Sequence, residues 1–208
     1  MKERTVYFDI DGLLTDSKKL ASIHKAALLP LVGAPESDFS SAVDDYYRNR
    51  KRTEFDPVDF TALLSDRFAV GQEVLLAVYE DSEPYKEAFY NDAFFAFENI
   101  SKLGNEMGEY SEAANPEHQM RKIAIPGATK FMEKGSILIL ANKTTPESIA
   151  LVGNGIVVDD KVEVVEAVKT LTKEGAIPIL VDREGNKSAS GVEEIGDLTE
   201  LPDLVKKL

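Results

Sequence analysis

Three features of the 208-residue sequence predict an α/β chain, a doubly wound parallel sheet with an all-helical block inserted after its first strand. The N-terminal run TVYFDI is continuously apolar, as a central strand covered on both faces should be. Residues from about 17 to 104 read as helix almost throughout. After Gly104 short strands alternate with helices, the order that builds a parallel sheet.

In the helical block, SKKLASIHKAALLPLV, SDFSSAVDDYYRNRK, DPVDFTALLSDRF, QEVLLAVYEDS and EPYKEAFYNDAFFAFENISKLG each set apolar residues three or four apart, with Ser or Asp before several of them as caps. Beyond it, EMGEYSE reads as a strand and PEHQMRKIAI as a helix opened by Pro116. SILILAN is the next strand, TPESIALVG a short helix and GIVVDD a strand. KVEVVEAVKTLTKEG is a longer helix, AIPILVDREG a strand, and EEIGDLTELPDLVKKL a short last helix. The expected division is a sheet domain of residues 1–16 and 92–208 and a helical cap of residues 17–91, its Phe, Tyr and Leu content suiting a small bundle.

Composition narrows the chemistry. No segment reaches the roughly 20 apolar residues that span a bilayer, and MKERTVYFDI enters a strand without a signal-peptide stretch, so a soluble cytoplasmic protein is expected. With no cysteine and only His24 and His118, thiolate and histidine-rich zinc sites are out of reach. A divalent ion would need oxygen ligands, which favours magnesium. A net charge of -13 argues against a nucleic-acid partner, while a small anionic substrate stays open.

In an open parallel sheet, ligands bind beyond the carboxyl ends of the strands. The first strand ends in Asp9, Ile10 and Asp11. EMGEYSE ends near Ser111 and Glu112, SILILANK in Asn142 and Lys143, and GIVVDDK in Asp159, Asp160 and Lys161. Alone, each is an ordinary turn, cap or surface charge; together they form a cation site beside an anion site. Asp9, Asp11 and Asp160 would repel on the order of several kcal/mol per pair at about 4 Å, so the cluster calls for a cation such as Mg2+. Ser111 and Lys143 suit phosphoryl oxygens. Asp9 would attack phosphorus, and Asp11, on the same face of an extended chain, would protonate the leaving oxygen and then activate water.

These residues resemble the motifs of the haloacid dehalogenase-like hydrolases: YFDIDGLLTDS the first, Ser111 in EYSEA the second, Lys143 in ANKT the third and the acids of VVDDK the fourth. Taking ILILANKT as the second motif instead would put Ala141 where a hydroxyl is needed. The resemblance implies a Rossmann-like core with the helical block as its cap, and a magnesium-dependent phosphatase acting on a small phosphorylated metabolite through an aspartyl-phosphate on Asp9. It implies metal ligation by the Asp9 side chain, the Asp11 backbone carbonyl and Asp160, with Asp159 behind them. Dehalogenase members of the family lack the second acid, so Asp11 points to phosphoryl chemistry. The link from Lys143 to Asp159 is shorter than the family's usual one, which calls for a brief helix.

A phosphomutase could use the same core, and a binding protein could keep the fold without turnover. A signalling receiver domain fits less well, because it would be smaller and uninterrupted. Elsewhere, Ser17 reads either as part of the first motif or as the cap of the first helix. Phe89, Tyr90, Phe94, Phe95 and Phe97 read as packing, DDYYRNRKR as a solvated helix end, and His24 and His118 as surface residues.

Overall fold

The computed structural model describes residues 4–48, 55–172 and 175–208. Six strands, all paired in parallel, form one sheet in the order β3-β2-β1-β4-β5-β6. They are β1 (Val6–Phe8), β2 (Met107–Glu112), β3 (Ile137–Leu140), β4 (Ile156–Asp159), β5 (Ile177–Val181) and β6 (Glu193–Ile195). Because every pairing is parallel, all six carboxyl ends lie along one edge.

Strand β1 shows how the sheet is covered. Val6 and Phe8 point to one face and pack with Ala93, Phe97 and Ile100 of α6 (Asn91–Lys102) and Leu201 and Val205 of α10 (Leu201–Val205). Tyr7 points to the other face, against Ile149 of α8 (Pro146–Ala150) and Val164 and Val168 of α9 (Val162–Leu171). A continuous apolar run is what such two-sided burial requires. Phe97 is fully buried and meets Phe8 edge to face, ring centroids 5.1 Å apart. Its truncation to alanine would cost about 3–5 kcal/mol.

The inserted helices are α1 (Ser17–Val32), α2 (Glu36–Arg48), α3 (Pro57–Phe68), α4 (Gln72–Glu80) and α5 (Glu83–Ala88). The first four share their own apolar cluster, which includes Leu28, Phe39, Phe60, Leu64, Leu75 and Tyr79. Local signals set the helix ends. Asp16 caps α1 by accepting from the Lys19 N–H, Gly33 ends it in the left-handed region, and Asp56 with Pro57 opens α3. No helix among the described residues is long and apolar enough to cross a membrane.

Three expectations need correction, and one choice left open is decided. The run EPYKEAFYNDAFFAFENISKLG is two helices, because Phe89 and Tyr90 pair instead with the segment entering α1: the Tyr90 N–H donates to Leu14 and the Asp16 N–H to Ala88. The C-terminal segment holds the edge strand β6 before its helix, a three-residue strand too short to show a period. Among the five aromatics read as packing, Phe95 is half exposed and Tyr90 lies beneath the Arg183 guanidinium, 3.9 Å from the ring centroid. The cap of α1 is Asp16, while Ser17 donates to Asp11. Of the basic cluster, residues 49–52 lie outside the described residues.

Candidate active site

Asp9 follows β1 directly and is 2% exposed, so its carboxylate needs a partner inside the protein. Lys143, just past β3, supplies one. Its ammonium lies 2.7 Å from Asp9 Oδ1 and 2.6 Å from Asp159 Oδ2, and it is itself buried. Burial alone would push Lys143 toward neutrality, but the two carboxylates outweigh it and raise its pKa above the ordinary lysine value. The buried hydroxyl of Tyr110 on β2 donates to the Lys143 carbonyl and holds that turn in place.

Asp159 closes β4 and Asp160 follows it. Burial pushes the Asp159 carboxyl above the carboxylate range against the pull of Lys143, with Asp9 adding to the rise. Asp160 shifts in the same direction, chiefly through burial, opposed by the bond from Lys187 to its Oδ2 at 3.0 Å. One oxygen from each of Asp9, Asp159 and Asp160 lies within 4.8 Å of the others. Asp9 Oδ2 and Asp160 Oδ1 are buried without a hydrogen-bond partner. Crowded acids with orphaned oxygens are a donor set that a hard divalent cation would complete. Gly12, at φ +85, lets the turn after β1 pass close by, since a Cβ there would sit 2.6 Å from Asp160 Oδ2.

The Asp11 side chain is not part of that triple and makes its own network of bonds. Lys122 Nζ lies 2.7 and 2.8 Å from its two oxygens, the Ser17 hydroxyl donates at 2.7 Å and Gln119 Nε2 at 2.9 Å. Burial opposes ionisation here, but Lys122 and the other donors prevail and hold the Asp11 carboxyl well below the carboxylate range. So the three clustered acids are Asp9, Asp159 and Asp160, with Asp159 closer in than the sequence suggested and Asp11 beside them in a separate network.

Ser111 is fully buried on β2, and its hydroxyl donates to Glu109, two residues back on the same face. Glu109 is pushed up to about 7, first by burial, with the Ser111 bond opposing and Asp9 adding. Asn142 Oδ1 accepts from the Thr144 N–H and hydroxyl in a turn beside Lys143.

Lys122, Gln119, Glu109 and Lys187 were not singled out from the sequence. Two signals were available. Gln119 and Lys122 are three apart on α7 (Pro116–Ala124), a helix that starts where β2 ends and so lays one face over the site. Glu109 is an acid inside a strand that should be buried, and a buried charge rarely lacks a reason. Lys187, in the loop after β5, carried no local signal.

Next to Asp11, Ser17 and Lys122 opens a cavity of about 300 Å3 walled by the cap helices. His24 and His118 line it and are buried, which corrects their reading as surface residues. Burial first, and Lys122 second, push His24 down to about 4 and His118 to about 3, so both imidazoles are neutral at pH 7. The Tyr85 hydroxyl donates to the Tyr79 carbonyl and therefore accepts from His118 Nδ1 at 3.3 Å, which leaves His118 Nε2 as an acceptor.

No family model and no curated protein matches the sequence. Solved structures do match the fold. A Burkholderia xenovorans protein described as a haloacid dehalogenase-like hydrolase superposes with a TM-score of 0.78 at 16% identity, over 99% of this chain and 98% of its own. A HAD phosphatase from Thermococcus onnurineus follows at 0.69 and 17%, with 97% of each chain covered. A 2-haloacid dehalogenase from Pseudomonas syringae has a TM-score of 0.60 at 15%, with 99% of each covered. Phosphatase and dehalogenase share this architecture, so the fold by itself does not choose between them. The chain has the fold of the haloacid dehalogenase-like hydrolases.

Proposed function

We propose that this chain hydrolyses a small phosphomonoester through an aspartyl-phosphate on Asp9, with Mg2+ as cofactor. The observation that carries the reading is the Asp9 carboxyl: one oxygen is held by Lys143 at 2.7 Å, the other is buried and unpartnered, as is Asp160 Oδ1, and one oxygen each of Asp9, Asp159 and Asp160 cluster within 4.8 Å. An Asp9 oxygen attacks phosphorus, the bond from phosphorus to the alcohol oxygen breaks, and that oxygen leaves with the bonding pair and takes up a proton. Water then attacks phosphorus and gives up a proton, the bond to Asp9 breaks, and inorganic phosphate departs.

Asp11 and Lys122 act as a pair in this scheme. Lys122 Nζ donates to both Asp11 oxygens, so the pair would supply the proton to the leaving oxygen in the first step. The Asp11 carboxylate accepts the water proton in the second. The side chains of Asp9 and Asp160 and the Asp11 carbonyl would hold Mg2+, with Asp159 beside Lys143 behind them. The ion would neutralise the clustered acids and the phosphoryl charge. Ser111 can serve a phosphoryl oxygen only by releasing Glu109.

Asp11 separates this reading from dehalogenase chemistry, since it stands where the resemblance puts the acid that dehalogenases lack. Transfer to a second alcohol, as in a mutase, would need polar groups to orient that alcohol, and the surface of the cap cavity is mostly apolar. A screen of phosphomonoesters with Mg2+, run beside Asp9→Asn, tests the proposal. Hydrolysis of an aryl phosphate and at least about a hundredfold loss in the variant, roughly 2.7 kcal/mol of barrier, are expected. Equal rates for the two proteins would refute it.

A further inference from the structure

The cap cavity carries information about the alcohol that leaves. Its walls are aromatic and aliphatic, among them Leu28, Phe39, Phe55, Phe60 and Tyr79. The rings already meet one another edge to face, Phe39 with Phe60 at 6.1 Å between centroids and Phe55 with Phe60 at 5.5 Å, an array that a flat guest would extend. A volume of about 300 Å3 accepts one or two rings.

Charge points the same way. The cations lining the cavity are Lys25 and Lys122; Lys25 is paired with Glu36 at 2.5 Å and Lys122 with Asp11. Each therefore already has a carboxylate partner. The two histidines on the wall are neutral, and Nδ1 of His118 is already committed to Tyr85. The wall is chiefly apolar, with the unpartnered His24 Nε2 and the acceptor His118 Nε2 among its few polar atoms, so most hydroxyls of a polyol would go unsatisfied there at a cost in free energy. The cavity also shares Asp11, Ser17, Phe55 and Lys122 with the depression that reaches Lys143, the partner of Asp9.

We infer that the cap cavity binds the aromatic or similarly flat apolar alcohol of a substrate carrying a single phosphate, so that the chain acts on aryl or arylalkyl phosphates in preference to sugar phosphates and bisphosphates. The inference rests on the phosphatase reading for its phosphate and on the cavity alone for its ring.

Ala21 offers a way to test it, because it lines the cavity from an exposed position on α1, where a larger side chain can be added without entering the core. Fluorescence titration with 2-naphthol, which needs no turnover, should show saturable binding that Ala21→Trp weakens at least about tenfold and Asp9→Asn preserves. With Mg2+, kcat/KM for 2-naphthyl phosphate should exceed that for glucose 6-phosphate at least about tenfold. Absent 2-naphthol binding, equal binding by Ala21→Trp with its melting temperature intact, or preference for glucose 6-phosphate would each overturn the inference. The two readings can fail separately: 2-naphthol binding without hydrolysis of any ester would sink the phosphatase, and hydrolysis without 2-naphthol binding would sink the aryl site.

Discussion

The edge of the sheet and the inside of the cap meet at Asp11, yet they are built from opposite materials. At the edge, Asp9, Asp11, Asp159 and Asp160 are each matched to a lysine, Lys143 for two of them and Lys122 and Lys187 for the others. In the cap, a cavity is walled by rings and by two imidazoles that burial keeps neutral. The difference separates two tasks. Charge held in a rigid frame suits a reaction at phosphorus, while an apolar pocket on a separate set of helices suits selection of the group attached to it.

Removing the central cation should break the charged side first. Lys143→Met leaves Asp9 and Asp159 buried without their shared partner, a loss of about 3–5 kcal/mol by analogy with broken buried ion pairs. Thermal unfolding should show a drop on the order of 10 °C. A variant as stable as the parent would mean that the acids are not charged together.

A smaller effect sharpens the same side. Mg2+ at about 100 times its dissociation constant should stabilise the protein by about 2.7 kcal/mol, read as a rise in melting temperature, and Asp160→Asn should abolish most of the rise. An equal rise in the variant would place the ion elsewhere.

The cap should answer to pH instead. His24 titrates near 4 in the folded chain against 6.5 when free, so between those values the unfolded state binds the extra proton. Stability is therefore complete above about pH 6.5 and declines as pH falls toward 4. His24→Phe keeps a ring that packs against Tyr79 and should remove on the order of 1–2 kcal/mol of that decline, measured by denaturant unfolding at pH 7 and 4.5. An unchanged decline would locate the titrating group elsewhere.

These contrasts also explain what the sequence disclosed. An acid at the end of an apolar strand is conspicuous, and parallel topology sends every such end to one edge, so Asp9, Lys143, Asp159 and Asp160 could be placed together from their order along the chain. Lys122 could not, because its meaning depends on where α7 lies over the turn after β1. His24 and His118 were misread because helical periodicity locates a buried face but not a hollow within it. The break at Phe89 and Tyr90 was hidden because those residues fit a helical pattern, and only pairing with Leu14 and Thr15 takes them out of it. The cavity stayed illegible for the same reason, since it belongs to the assembly of five helices, α7 among them, and to none of their sequences.

The central claim is that Asp9 carries the phosphoryl group. Acid quenching during turnover of an aryl phosphate, followed by borohydride reduction and peptide mass spectrometry, tests it most directly. Reduction of Asp9 in the turning-over protein, and of no other acid, is the result expected. Steady hydrolysis with Asp9 unmodified, or modification at Asp11 instead, would contradict it.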